Sequence, residues 1–267
     1  MSGPFRNPAS PARGGRIFIT GATSGIGEAF ARYYAARGAT LGLAGRRAEI
    51  LQSLCARLPG AGHRSYVLDV RDADALRAAA QDFLREGPVD IVIASAGISV
   101  GTLTTEPDDH AAFQAVFDTN VVGTAATFAP FLAAMQARGH GVLVGIASVA
   151  GVRGLPGAGA YCASKAAVRL YCESLRVELR GTGVRVVTLA PGFIATPMTA
   201  DNPYRMPFLM PVDRFVERAA RAIAAGDRYR VIPWPMAWVA GLLQCVPRPL
   251  FDAVAARRKR KPRQFSP

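Results

Sequence analysis

Arg16-Ile17-Phe18-Ile19-Thr20-Gly21-Ala22-Thr23-Ser24-Gly25-Ile26-Gly27 joins a short apolar run to a glycine-rich turn, and a helical pattern over residues 28–37 follows at once. A glycine motif alone is a weak signal; strand, glycine turn and helix in immediate succession make it a specific one. Glycine permits the tight turn and the close approach of a ligand to the backbone, and the free amides at a helix start attract a pyrophosphate. The stretch therefore predicts the first β-α unit of a dinucleotide-binding sheet.

The same alternation continues down the chain. Apolar runs at 40–44, 64–68, 89–94, 142–147, 184–189 and 230–233 read as strands, and helical patterns fall at 48–58, 73–85, 108–136, 161–179 and 212–225. Continuous apolar strands alternating with helices imply a parallel sheet covered on both faces. The expectation is a single α/β domain, a Rossmann-like doubly wound parallel sheet of about seven strands over residues 16–233. Residues 1–15, with Pro4, Pro8, Pro11, Arg6 and Arg13 and no apolar core, read as a loose tail without the pattern of a secretory signal. Residues 234–267 form an apolar and then basic extension.

Composition narrows the function. Of 267 residues, 50% are hydrophobic and only 19% charged, enough for a large core. Cys55, Cys162, Cys172 and Cys245 show no paired spacing, and His63, His110 and His140 stand apart, so neither a disulfide framework nor a metal site is expected. Of the formal charge of +13, Arg257, Arg258, Lys259, Arg260, Lys261 and Arg263 supply six in one cluster with no acid among them, and the remaining excess is scattered arginine. No aromatic residues are interleaved with it as stacking platforms, so nucleic-acid binding is not expected; a preference for anionic ligands is.

Chemistry-bearing residues fall at strand ends, where α/β sheets place their ligands. The second strand ends in Gly45-Arg46-Arg47, with no acid to hold the ribose hydroxyls of NAD and two arginines able to accommodate the extra phosphate of NADP. Asp69 precedes Val70 after the third strand and is either an acceptor for an adenine amine or the cap of the next helix. Ser95-Ala96-Gly97 follows the fourth strand with side chains small enough for a cofactor to lie against the backbone. Asn120 interrupts a helical run among Val121, Val122 and Gly123, which suggests a buried hydrogen-bonding role or a local kink. Ser148 ends the fifth strand. Tyr161 and Lys165 lie four apart on one helix face, where an ammonium would lower the phenol's pKa from its usual value of about 10 and make it a usable acid or base. The segment 198–212, with Tyr204, Met206, Phe208, Leu209 and Met210, reads as a lid over a nonpolar substrate.

With Thr20-Gly21-x-x-x-Gly25-x-Gly27, Asn120, Ser148, Tyr161-x-x-x-Lys165 and Pro191-Gly192 in this order, the chain resembles the single-domain short-chain dehydrogenase/reductase family. The resemblance implies that Tyr161 is the general acid or base, that Lys165 lowers its pKa and holds the nicotinamide ribose, that Ser148 orients the substrate oxygen and that Asn120 supports a proton-relay water. It implies hydride transfer on the B face of the nicotinamide. Gly21, Thr23, Ser24, Gly25, Ile26, Gly27, Arg46, Arg47, Asp69, Val70, Ser95, Ala96, Gly97, Tyr161, Lys165, Pro191, Gly192, Ile194 and Thr196 are then the expected cofactor contacts. Two positions depart from the family pattern: Ser95 stands where an Asn usually precedes Ala-Gly, and Ser24 where NADP-preferring members often carry a basic residue. NADP preference therefore rests on Arg46 and Arg47.

The expected activity is NADPH-dependent, reversible carbonyl reduction and alcohol oxidation on a hydrophobic ketone or aldehyde of lipid, steroid or 3-oxoacyl type, a preference to which Trp234 adds. An NAD-linked alcohol dehydrogenase of the same family is the nearest alternative, and a non-catalytic cofactor-binding regulatory or scaffold protein a more distant one. A homodimer or homotetramer is expected from the family, and the unpaired cysteines and missing secretory pattern point to the cytoplasm. The run 236–246 is too short to span a bilayer, which takes about 20 residues. It either lies on a membrane beside its basic cluster, or packs over the substrate pocket or a subunit interface while the tail is solvated.

Overall fold

The computed structural model describes residues 14–257 and 260–263. Its elements run β1 (Arg16–Thr20), α1 (Gly25–Ala35), β2 (Thr40–Gly45), α2 (Ala48–Arg57), β3 (Arg64–Val67), α3 (Ala73–Arg85), β4 (Ile91–Ala94) and α4 (Asp109–Phe117). There follow a π-helical turn (Asp118–Val122), α5 (Gly123–Arg138), β5 (Gly141–Ile146), a 3₁₀ turn (Val149–Val152), α6 (Gly159–Glu178) and β6 (Val184–Pro191). Then come β7 (Ile194–Ala195), α7 (Pro197–Ala200), β8 (Met210–Pro211), α8 (Val212–Ala225), β9 (Tyr229–Ile232), α9 (Pro235–Cys245) and α10 (Arg248–Ala255). Seven strands form one parallel sheet in the order β3-β2-β1-β4-β5-β6-β9, and β7 pairs with β8 apart from it.

Side chains of a strand alternate between faces, and here both faces are apolar. Ile17, Ile19, Leu41, Leu43, Ile91, Ile93, Val142, Val144, Val187 and Leu189 pack on one side against Phe30 and Tyr34 of α1, Leu51 and Leu54 of α2, and Phe215 and Ile223 of α8. Phe18, Val92, Leu143 and Val186 pack on the other against Phe83 of α3, Phe128 and Phe131 of α5, and Val168 and Leu175 of α6. This is the doubly wound arrangement. Strand order reverses direction between β1 and β4, so a crevice opens beyond their carboxyl ends, where the glycine turn and Ser95-Ala96-Gly97 meet.

The single helix expected over 108–136 is two helices joined by the π-helical turn that contains Asn120. The side chain of Asn120 is fully buried and bonded away from its own helix, which favours the local extra residue in the turn. The expectations for residues 1–13 lie outside the described residues. In the extension, Met236 and Ala240 of α9 pack on Val149, with Phe193, Val231 and Val239 around them. Trp234 and Trp238 on the outer side of this segment are 66% and 75% exposed. No helix among the described residues is long and apolar enough to cross a membrane.

Candidate active site

The turn after β1 sets the first wall. Gly21 has φ +66°, and a Cβ there would lie 2.7 Å from the Ala96 Cα and N, so only glycine fits between the two strand ends. Ser24 precedes α1 without a side-chain bond to its first-turn amides, which leaves those N–H groups directed at the crevice. The crevice is a cavity of about 360 Å³ lined by Gly21, Thr23, Ser24, Gly25, Ile26, Arg46, Arg47, Asp69, Val70, Ser95, Ala96, Gly97, Ser148, Tyr161, Lys165, Pro191, Gly192, Ile194 and Thr196. A backbone cradle with uncapped amides, two guanidiniums and small side chains suits a phosphorylated dinucleotide.

One expected cofactor contact, Gly27, and one expected catalytic residue, Asn120, are not in that wall. Gly27 lies behind it, where a Cβ would collide with the Gly21 carbonyl, so its smallness serves the packing of α1 on the turn. Asn120 is also behind it, fully buried: its Nδ2 donates to the Ile98 carbonyl and to Ser164 Oγ, each at 3.0 Å, and its Oδ1 accepts from Ile98 N at 2.8 Å. Ile98 and Thr119, which no sequence motif marks, also line the crevice, as does Met198 at the start of the expected lid, and Ser164 supports Asn120.

At the phosphate end the two arginines differ. Arg47 donates from Nε and Nη2 to Thr23 Oγ1 at 3.2 and 2.8 Å, whereas the exposed Arg46 comes only to 3.7 Å from Asp69. Asp69 does not cap α3; Asp72 does, accepting from Asp74 N and Ala75 N. Three residues nearer the helix, Asp72 has the right reach, and Asp69 is held instead by the Arg71 guanidinium at 2.8 and 3.0 Å. Burial alone would raise the Asp69 carboxyl, but the hydrogen bonds from Arg71 and the charge of Arg46 outweigh it and leave its pKa below the ordinary value.

The reactive end is built by β5 and α6. Ser148 follows β5, accepts from Ala150 N at 3.1 Å and shares a hydrogen bond with the Tyr161 hydroxyl. Lys165, one turn beyond Tyr161, lies with its Nζ 5.8 Å from the Tyr161 ring centre and donates to the Ile146 carbonyl at 2.9 Å. Burial lowers the Lys165 ammonium to about 8. Burial likewise raises the Tyr161 phenol to about 12, against the opposing hydrogen bond from Ser148 and with smaller rises from Cys162 and Tyr204. The shift is thus opposite to the lowering expected from Lys165: desolvation raises the phenol, and the Lys165 ammonium is turned to the Ile146 carbonyl. At neutral pH the phenol is a protonated donor.

A second cavity of about 270 Å³ opens on the far side of Tyr161 and Ser148. Val149, Leu155, Pro156, Phe193, Tyr204, Met236, Val239 and Leu243 give it apolar walls, Ser148, Tyr161, Ser99, Thr199 and Asn202 add neutral polar groups, and Arg153 and Lys261 are its cations. The expected lid supplies Met198, Asn202, Tyr204 and Pro207, with Tyr204 near Phe193 at a ring distance of 6.3 Å. Trp234 is not part of this wall. Among the described residues no cluster of His, Cys, Asp or Glu could hold a metal ion.

A glycine-turn crevice at the switch of a doubly wound sheet, with a hydrogen-bonded Ser and Tyr where it meets an apolar cavity, defines the class: a dinucleotide-binding oxidoreductase. The sequence model of the short chain dehydrogenase family matches residues 16–206. An uncharacterized oxidoreductase of Myxococcus xanthus is 44% identical over 90% of this chain and 95% of its own length. Galactitol 2-dehydrogenase (L-tagatose-forming) of Cereibacter sphaeroides is 42% identical, covering 68% of this chain and 72% of that enzyme. Among solved structures, the alcohol dehydrogenase of the archaeon Thermococcus sibiricus complexed with 5-hydroxy-NADP superposes with a TM-score of 0.72 at 25% identity, over 82% of this chain and 95% of that one. The chain belongs to the short-chain dehydrogenase/reductase family, whose oxidoreductases act on alcohol and carbonyl groups with a nicotinamide cofactor.

Proposed function

We propose that the protein is an NADPH-dependent carbonyl reductase, reversible to alcohol oxidation, acting on a ketone or aldehyde with an apolar body. The observation that carries this reading is that Ser148, Tyr161, Pro191 and Gly192 are walls of both cavities at once, so the Ser148 and Tyr161 hydroxyls stand where a cofactor and an apolar substrate would meet. Arg46 and Arg47 at the phosphate end of the crevice, with no acid between them and β2, support NADP over NAD.

When bound, the nicotinamide supplies the hydride, or accepts it in the reverse direction. The residues of the chain handle the proton and the geometry. The protonated Tyr161 phenol gives its proton to the carbonyl oxygen as the alcohol forms, and Ser148, bonded to that phenol, holds the same oxygen in place. Lys165 spends one N–H on Ile146 and keeps two for ribose hydroxyls at the crevice floor. The apolar walls exclude water from this point.

The test is a fluorescence titration of the purified protein with NADPH and NADH, followed by a screen of hydrophobic ketones and aldehydes with NADPH absorbance as the signal. Tight NADPH binding and turnover of an apolar carbonyl are expected. Equal binding of NADH would make this an NAD-linked dehydrogenase instead.

A further inference from the structure

The basic tail does not simply trail into solvent. Beyond α10 it returns to the loop after β4, where the Pro262 carbonyl accepts from Gly101 N at 2.9 Å and Arg263 reaches Asp109 at 2.8 Å and Glu106 at 3.1 Å. Gly101 leaves no space for a side chain there: a Cβ would collide with the Lys261 carbonyl. These anchors hold residue 261 against the apolar cavity. The Lys261 Nζ donates to Ser99 Oγ at 2.8 Å and approaches the Met198 carbonyl at 3.5 Å, and all three residues are cavity walls.

Among the described residues no carboxylate lines this cavity, and none pairs with Lys261; its partners are two neutral oxygens. The cavity's other cation is already engaged: Arg153 donates to the Leu243 and Val246 carbonyls at 2.6 and 2.8 Å and lies 4.2 Å from the Phe251 ring centre. A half-buried ammonium facing apolar walls without a counter-charge is costly, and an anion is the partner that would offset that cost. Burial also holds this ammonium below its ordinary pKa.

We propose that Lys261 is the anion receptor of the substrate cavity, so that the carbonyl compound taken here carries an acidic group, a carboxylate, sulfonate or phosphate, on its apolar body. This rests on the reading of the cavity as a substrate site. The tail then acts as a strap that brings a charge from the chain's end into a pocket whose other walls select for apolar surface.

A matched pair separates the two ideas. Adipic semialdehyde and its methyl ester, tested with NADPH on wild type, Lys261→Met and Lys261→Arg, report the charge preference. The acid should be favoured by roughly 10- to 100-fold in kcat/KM, the range of a hydrogen bond to a charged group, with the gain mainly in KM. The preference should fall toward unity in Lys261→Met and survive in Lys261→Arg. Calorimetric binding of octanoate and methyl octanoate gives the same comparison without turnover. If neither aldehyde is reduced but octanoate binding still depends on Lys261, the function reading fails and the anion site stands. Acid and ester treated alike by wild type in both assays overturn the site, as does a loss of NADPH affinity in Lys261→Met, which would assign the ammonium to the cofactor.

Discussion

The Lys165 ammonium donates to the carbonyl of Ile146, the last residue of β5, at 2.9 Å, from a side chain that is only 6% exposed. This bond ties α6 to the end of a central strand and fixes the turn that presents Tyr161. It also keeps a charge where solvation is poor, and burial moves its pKa from 10.5 to about 8. Between those pH values the unfolded chain holds more protons than the folded one, so this residue makes the protein gain stability as pH rises through that window. Below it the buried charge is a penalty of about 3 kcal/mol, against roughly 1 kcal/mol returned by the hydrogen bond. Lys165→Met should therefore be more stable than wild type by about 2 kcal/mol at pH 7 while losing activity. The difference should shrink from pH 8 to 10.5 in denaturant unfolding. A variant less stable than wild type at pH 7 would show the charge to be well solvated.

Arg46 and Arg47 should part company on mutation. Arg46 is exposed and only loosely paired with Asp69, so its guanidinium is available to a 2′-phosphate. Arg46→Ala should weaken NADPH binding by roughly 10-fold and leave NADH nearly unchanged. Arg47 is bonded twice to Thr23 in the glycine turn, so Arg47→Ala should disturb that wall and weaken both cofactors together. Titrations in which Arg47→Ala alone discriminates against NADPH would reverse the assignment.

Asn120 makes three hydrogen bonds without any exposure, two of them to the backbone of Ile98 next to the crevice wall. Asn120→Ala leaves both Ile98 groups and Ser164 without this partner, and should cost about 3 kcal/mol of stability. Ser164 lies beside Lys165, so kcat should fall as well. Thermal unfolding checks the first effect, and a loss below about 1 kcal/mol would mean that water replaces these bonds.

The parts of this molecule that are local in sequence were readable from it. The bounds of α3 and α8 agree with the periodic patterns at 73–85 and 212–225, because both helices carry one apolar stripe against the sheet. The glycine turn, Ser148 and the Tyr161–Lys165 spacing were visible for the same reason: strand ends and one helix turn fix them. What depends on distant segments was not readable. Lys261 lies among six basic residues, and nothing in that run marks it as the one placed 162 positions away, against Ser99. Arg153 bonds the Leu243 carbonyl of α9 and the Val246 carbonyl just beyond it, 90 and 93 positions away. The Tyr161 pKa took the opposite direction because spacing shows a neighbouring charge but neither the burial of the phenol nor the carbonyl to which that charge is turned. Trp234 looked like a substrate contact by its chemistry, yet the start of α9 turns it outward.

The last prediction concerns how Tyr161 and Lys165 share the pH dependence. With its pKa near 12 in the protein alone, the phenol stays protonated across the working range, and its own ionisation does not limit carbonyl reduction below pH 10. Lys165 loses its charge near pH 8, and with it the field that favours proton release from the phenol and the full set of donors for ribose. Reduction should therefore run flat in kcat/KM up to about pH 8 and decline above it. Alcohol oxidation needs the deprotonated phenol and should rise with pH over the same range, until the loss of Lys165 offsets the gain. Tyr161→Phe removes the proton donor without removing the ring, so it should bind NADPH normally and lose roughly 100-fold or more in kcat in both directions. A reduction profile whose alkaline limb lies below pH 7, or a Tyr161→Phe enzyme within tenfold of wild type, would place the proton donor on another group.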